Sequence, residues 1–156
     1  MCPSSFFAAV ALLLCCLGAV LGLADKTYTI TQALPNGAAS TTSSGIDLET
    51  VSTSADLLAD IEFSVFAPAL TTTELGDTQT ITYIVQTATD AAFTSPTDLI
   101  ASLFVQTGAG GAGAATNTKR FRLPTNVQRY VRIKATKTGA SNASTASLIF
   151  KLLQLA

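Results

Sequence analysis

Between residues 27 and 153 the chain alternates polar and apolar side chains with a period of two, and it does so in seven separate runs. Thr27-Tyr28-Thr29-Ile30-Thr31 opens the series. Ile61, Phe63 and Val65 alternate with Glu62 and Ser64, and Ile81, Tyr83 and Val85 with Thr82 and Ile84. Leu99, Ala101, Leu103 and Val105 follow at every second position, then Phe121 and Leu123. Val131 and Ile133 alternate with Arg132 and Lys134, and Leu148, Phe150 and Leu152 with Ile149, Lys151 and Leu153. A strand turns successive side chains to opposite faces, so each run sets one face on a core and the other outward. The β-branched residues that fill these runs suit a pleated surface.

Turn-forming residues separate the runs: Pro35-Asn36-Gly37, Ser44-Gly45, Gly76-Asp77, Ser95-Pro96, Pro124-Thr125-Asn126 and Thr138-Gly139. With a short segment over residues 46–51 the count reaches eight strands. That spacing predicts an all-β fold, an antiparallel β-sandwich or jelly roll of about eight strands. The helix candidate, residues 54–60, is too short to change the class, and residues 88–93 are expected to make a single turn. Residues 108–115, Gly-Ala-Gly-Gly-Ala-Gly-Ala-Ala, read as a flexible surface loop between two strands, or as a loop that orders against a neighbouring subunit. A phosphate cradle is excluded by context, because no Lys-Ser/Thr follows and no helix begins there.

The chain divides near residue 24. Residues 6–24 are apolar and uncharged, with Gly22 and Ala24 placed for cleavage before Asp25, which is the form of a secretory signal peptide. A membrane anchor fits the same length, and so does a start placed ahead of the working protein. Each leaves residues 25–156 as a single β-sandwich domain, large enough to bury a core without metal or disulfide.

Several chemistries are removed by composition. The chain has no His and no Trp, and its three cysteines, Cys2, Cys15 and Cys16, all precede residue 25. Histidine-based triads, thiolate metal sites and cysteine nucleophiles are therefore not expected in the domain, and neither a cofactor nor a metal. Glu49, Glu62 and Glu74, with Asp56 and Asp60, could supply a carboxylate pair, yet no cleft or tryptophan sugar platform is marked. The expectation is a protein that is not an enzyme and takes no small-molecule substrate.

The charges are segregated. All ten acids fall between Asp25 and Asp98, and eight of the nine bases between Lys119 and Lys151, so that the two stretches carry −9 and +8. Three readings are open. Acidic and basic strands pair within one sandwich; a basic face meets an acidic neighbouring protein; or residues 119–122 and 129–137, with Phe121 and Tyr130, bind single-stranded nucleic acid. The acidic pI argues against the last. Arg120 with Arg122, and Arg132 with Lys134, each share a strand face. If those two strands were neighbours, one sheet face would carry a positive cluster in need of a cover. Lys119, Arg120, Arg122, Arg129, Arg132 and Lys134 are thus the candidate partner interface.

One ordered set of segments extends this reading. Leu34-Pro35-Asn36-Gly37-Ala38-Ala39-Ser40 precedes Ile46-Asp47-Leu48; then come Ala67-Pro68-Ala69-Leu70-Thr71, Val105-Gln106-Thr107 with the glycine-rich stretch, Arg120-Phe121-Arg122-Leu123-Pro124, Arg129-Tyr130-Val131-Arg132 and Ser147-Leu148. In this order the chain resembles the jelly-roll capsid cement, or decoration, proteins of tailed bacteriophages, over residues 25–153. The resemblance implies a structural virion protein on the capsid exterior, homo-oligomeric, that bridges major capsid protein subunits without catalytic residues or specific nucleic acid. Residues 1–24 lie outside it, and a secretory leader would depart from it. The alternative is a secreted or cell-surface β-sandwich binding module, adhesin-like or carbohydrate-binding, for which Asn142-Ala143-Ser144 supplies a glycosylation sequon.

Overall fold

The computed structural model describes residues 28–51 and 61–154. Among the described residues nine strands form: β1 (Thr29–Ala33), β2 (Ser40–Thr42), β3 (Ile46–Asp47), β4 (Ile61–Ala67), β5 (Thr80–Ala88), β6 (Thr97–Thr107), β7 (Asn117–Phe121), β8 (Tyr130–Lys137) and β9 (Ser147–Gln154), with a helical turn, α1 (Leu48–Val51), after β3. They build two antiparallel sheets. One has the order β1-β9-β4-β7; the other has the order β2-β8-β5-β6, with β3 also on β8.

This order is a jelly roll. β5 pairs with β6, β4 with β7, β2 and β3 with β8, and β1 with β9, so the chain is one long hairpin whose two arms stay paired as it winds around the core. The further pairs β4·β9 and β5·β8 complete the two sheets.

The core lies where the alternation places it. Phe63 and Val65 of β4, Ile81, Tyr83 and Val85 of β5, Val131 and Ile133 of β8, and Leu148 and Phe150 of β9 are fully enclosed. Phe63 stacks between Phe121 and Phe150, with ring centroids 5.7 and 5.4 Å away.

Four local expectations change. The run over residues 46–51 is a strand only at Ile46–Asp47, because the Asp47 carboxylate accepts the Glu49 N–H (3.1 Å) and caps the turn α1. β2 carries no hydropathy signal; it is a polar edge strand held on β8, with Ser40 Oγ 2.9 Å from Thr136 Oγ1. On β6, Leu99, Ala101, Leu103 and Val105 do not share a face. A register shift sets residues 101–103 opposite Ile84 alone, so Phe104 turns inward to stack on Tyr83 at 4.4 Å while Val105 is exposed. β7 starts at Asn117 and ends before Leu123. The helix candidate at residues 54–60 lies outside the described residues, as do residues 1–27.

Candidate interaction surface

The six basic candidates fall on both sheets. Lys119 and Arg120 are on β7, an edge of the four-stranded sheet, and Arg122 lies just past its end. Arg129 immediately precedes β8, and Arg132 and Lys134 lie on it, inside the five-stranded sheet. β7 and β8 are therefore not neighbours, and the single basic sheet face does not form. The physical reason is the winding: β7 follows β6 across to the other sheet, and β8 crosses back.

The same winding pairs part of the charge within the chain. Because the arms of the hairpin pair, each of β1 to β5 in the acidic half has a neighbour from the basic half. Arg129 grips Asp47 with two parallel bonds, Nε to Oδ1 at 3.0 Å and Nη2 to Oδ2 at 2.9 Å, and reaches Glu49 Oε2 at 2.7 Å. That bidentate partner holds the Asp47 carboxyl below the usual carboxylate range. Arg120 meets Glu62 at 3.4 Å across the β4·β7 ladder. Arg132 donates from Nε to Gln86 Oε1 (3.0 Å), and Gln86 Nε2 donates to Asp98 (2.8 Å), a relay crossing β8, β5 and β6 in one register row.

Aromatic rings join these pairs. The Arg132 guanidinium lies 4.2 Å above the Phe93 ring, and Arg129 lies 5.1 Å above Tyr130, whose edge meets Phe93. Phe93 takes a left-handed backbone (φ 52°), which bends the β5–β6 loop back over the sheet. A Cβ on Gly45 would stand 2.6 Å from the Phe93 ring, so the β2–β3 turn is shaped to seat it.

Tyr130 belongs to the outward row of β8, and Val131 beside it is the buried one. Phe121 does face the core, stacked on Phe63. Neither ring is presented for base stacking. Lys137, counted among the bases, is only 2 % exposed. Its ammonium donates to Gln79 Oε1 (3.0 Å), Ser141 Oγ (3.0 Å) and the carbonyls of Thr138 and Gly139 (3.3 and 3.2 Å), and Ser141 Oγ donates in turn to Gln79 Oε1. Burial among neutral oxygens lowers its pKa from the ordinary lysine value.

The carboxylates weighed as a catalytic pair are engaged separately. Glu49 and Glu62 hold arginines. Glu74 accepts the Thr71 N–H (2.8 Å) and the hydroxyls of Thr71 and Thr145, and these bonds depress its pKa. Asp56 and Asp60 lie outside the described residues. Among the described residues no group of three or more His, Cys, Asp or Glu is placed to hold a metal ion.

The glycine-rich loop is hydrogen-bonded into the fold. Leu70 and Ala114 exchange two backbone bonds, Gly108 N donates to Gln79 O, and the Asp77 carboxylate accepts the Gly111 N–H at 3.0 Å. Gly108 and Gly113 touch neighbouring backbone so closely that a Cβ would meet Gly76 O at 2.2 Å and Leu70 O at 2.0 Å. The small residues serve close approach to the β4–β5 loop.

Lys119, Lys134 and Lys151 form no ion pair with a described residue. They are the cations the internal pairing leaves over. Lys151 was outside the set expected from sequence; its signal was a single charge inside the apolar run Ser147-Leu148-Ile149-Phe150-Lys151-Leu152-Leu153. No protein-family model matches the chain, and no curated protein matches it.

Proposed function

We propose that the protein is a structural virion component, a capsid cement protein that binds the outside of a phage head and bridges major capsid protein subunits. The observation that carries this reading is the jelly-roll strand order, found in a chain whose ordered segments resemble that family. The pairing of strands supports it: setting acidic strands beside basic ones and tying the loops makes a stiff block, and stiffness suits a part that bears load. The reading assigns no catalytic residue and no cofactor.

The test is to mix the full chain with shells lacking it and to measure co-sedimentation at low and moderate salt. Saturable binding, with shells that resist heat better than bare ones, is the expected result. Absence of binding at both salt levels overturns the reading. A second reading, a secreted binding module, is favoured by exposed Asn142 in the β8–β9 loop, whose Oδ1 accepts the Ser144 N–H at 2.9 Å. A mature protein beginning at Asp25 in culture medium, without association with virions, supports that reading instead.

A further inference from the structure

The outer face of an antiparallel sandwich sheet is ordinarily polar where it meets water. The four-stranded sheet departs from this on its two central strands. β4 presents Phe66 outward, 36 % exposed, and β9 presents Ile149 and Leu153. Phe66 and Ile149 are register partners, flanked in the same row by Thr31 of β1 and Thr118 of β7. The next row reads Thr29, Lys151, Ser64, Arg120. An apolar centre thus sits beside two cations, with threonine hydroxyls at both edges. Lys151 pairs with no described acid, and Arg120 is two-thirds exposed, with one long contact to Glu62. The opposite sheet's outer face reads Ser40, Thr136, Thr82 and Val105 in one row, its exposed apolar residue standing at the β6 edge rather than on the central strands, and Phe93 and Arg132 already cover part of it.

We infer that the outer face of the four-stranded sheet docks onto a protein surface that supplies an apolar group to Phe66 and Ile149 and carboxylates to Lys151 and Arg120. The inference rests on the cement reading and names the face that reading left open. Complementary charge selects the occupant: the face carries Lys151 and Arg120 against one carboxylate, Glu62, on a chain whose net charge is −1, so an acidic patch is attracted to it. Apolar centre and polar rim are the ordinary anatomy of a protein contact.

The experiment compares full-length wild type, Phe66→Asp/Lys151→Glu, Lys151→Glu alone and, on the other outer face, Lys134→Glu. Each is mixed with shells lacking the protein at low salt, with thermal unfolding and sedimentation velocity run alongside. The double variant is expected to bind at least about tenfold more weakly, Lys151→Glu to weaken binding with an unchanged melting temperature, and Lys134→Glu to stay within about twofold of wild type. Undiminished binding by the Lys151→Glu and double variants overturns the docking face while leaving the cement reading in place. Loss of binding in Lys134→Glu alone moves the contact to the other sheet and overturns it as well. A dimer that dissociates in the double variant makes a second copy the occupant, against the proposal. Failure of wild type to bind removes the cement reading and this contact together.

Discussion

Single residues in this fold do work that their type alone does not suggest. Ser43 is one. It sits between β2 and β3, where β8 has lost its neighbour, and its Oγ accepts the Ile133 N–H at 3.0 Å in place of a ladder carbonyl. Ser43→Ala leaves that buried donor without a partner, and we expect a loss of roughly 1–3 kcal/mol in urea unfolding. Gly113 is another. Its φ of 74° and its approach to Leu70 O leave no room for a side chain, so Gly113→Ala should cost about 2–4 kcal/mol. Gly110 has a similar φ (63°) but open space around its missing Cβ, and Gly110→Ala should cost only about 1 kcal/mol. Equal losses for the two glycines would show that backbone strain, not close approach, governs the loop.

At the scale of elements, the end of β8 is held by the Lys137 ammonium, which ties the β4–β5 and β8–β9 loops together. Its folded pKa is depressed, so the folded protein releases this proton before the unfolded chain does. Stability from this group therefore rises with pH through the window between the lowered value and about 10.5, and falls as pH drops back through it. Tyr83 acts in the opposite sense. Its hydroxyl donates to Gln106 Oε1 (2.6 Å) and burial raises its pKa, so its contribution is lost as pH climbs above 10. Comparing wild type with Lys137→Met separates them: the difference in unfolding free energy should shift in favour of wild type as pH approaches 10.5. A difference independent of pH would mean that the folded state does not depress this pKa. Pairing between elements also explains why β2 escaped the hydropathy pattern and β6 misled it. An edge strand of serine and threonine has no apolar face to read, and a register shift breaks period two without leaving a mark in composition.

For the whole molecule, the absence of histidine predicts a flat stability profile between about pH 5 and 8. Below that the profile should fall, because Asp47, Glu74 and Asp90 have depressed folded pKa values: the Arg129 guanidinium, the Thr71 N–H and the Thr94 N–H respectively favour their charged forms. Their stabilisation is present above the ordinary carboxylate range and is lost as pH falls through the folded values. Acid titration followed by circular dichroism checks this, and Glu74→Gln should remove part of the slope. A melting temperature that stays constant down to pH 2 would exclude these groups as a source of stability.

The sequence by itself determined the class of fold, because a period of two admits one kind of element and turn residues set its length. It also determined most of the core: of the alternating apolar residues, those of β4, β5, β8 and β9 are buried on the expected face. The segregated charge was legible as a fact, and all three of its readings were open. Only the tertiary structure decided between partners inside the chain, since pairing depends on which strands the winding makes neighbours. It separated β7 from β8, gave Arg129 to Asp47 and Glu49, buried Lys137, and left Lys151 beside Phe66 on an outward face. Strand alternation is a local property and can be read along the chain. Which charges neutralise one another depends on contacts between residues as far apart as Asp47 and Arg129, and these exist only once the hairpin is wound.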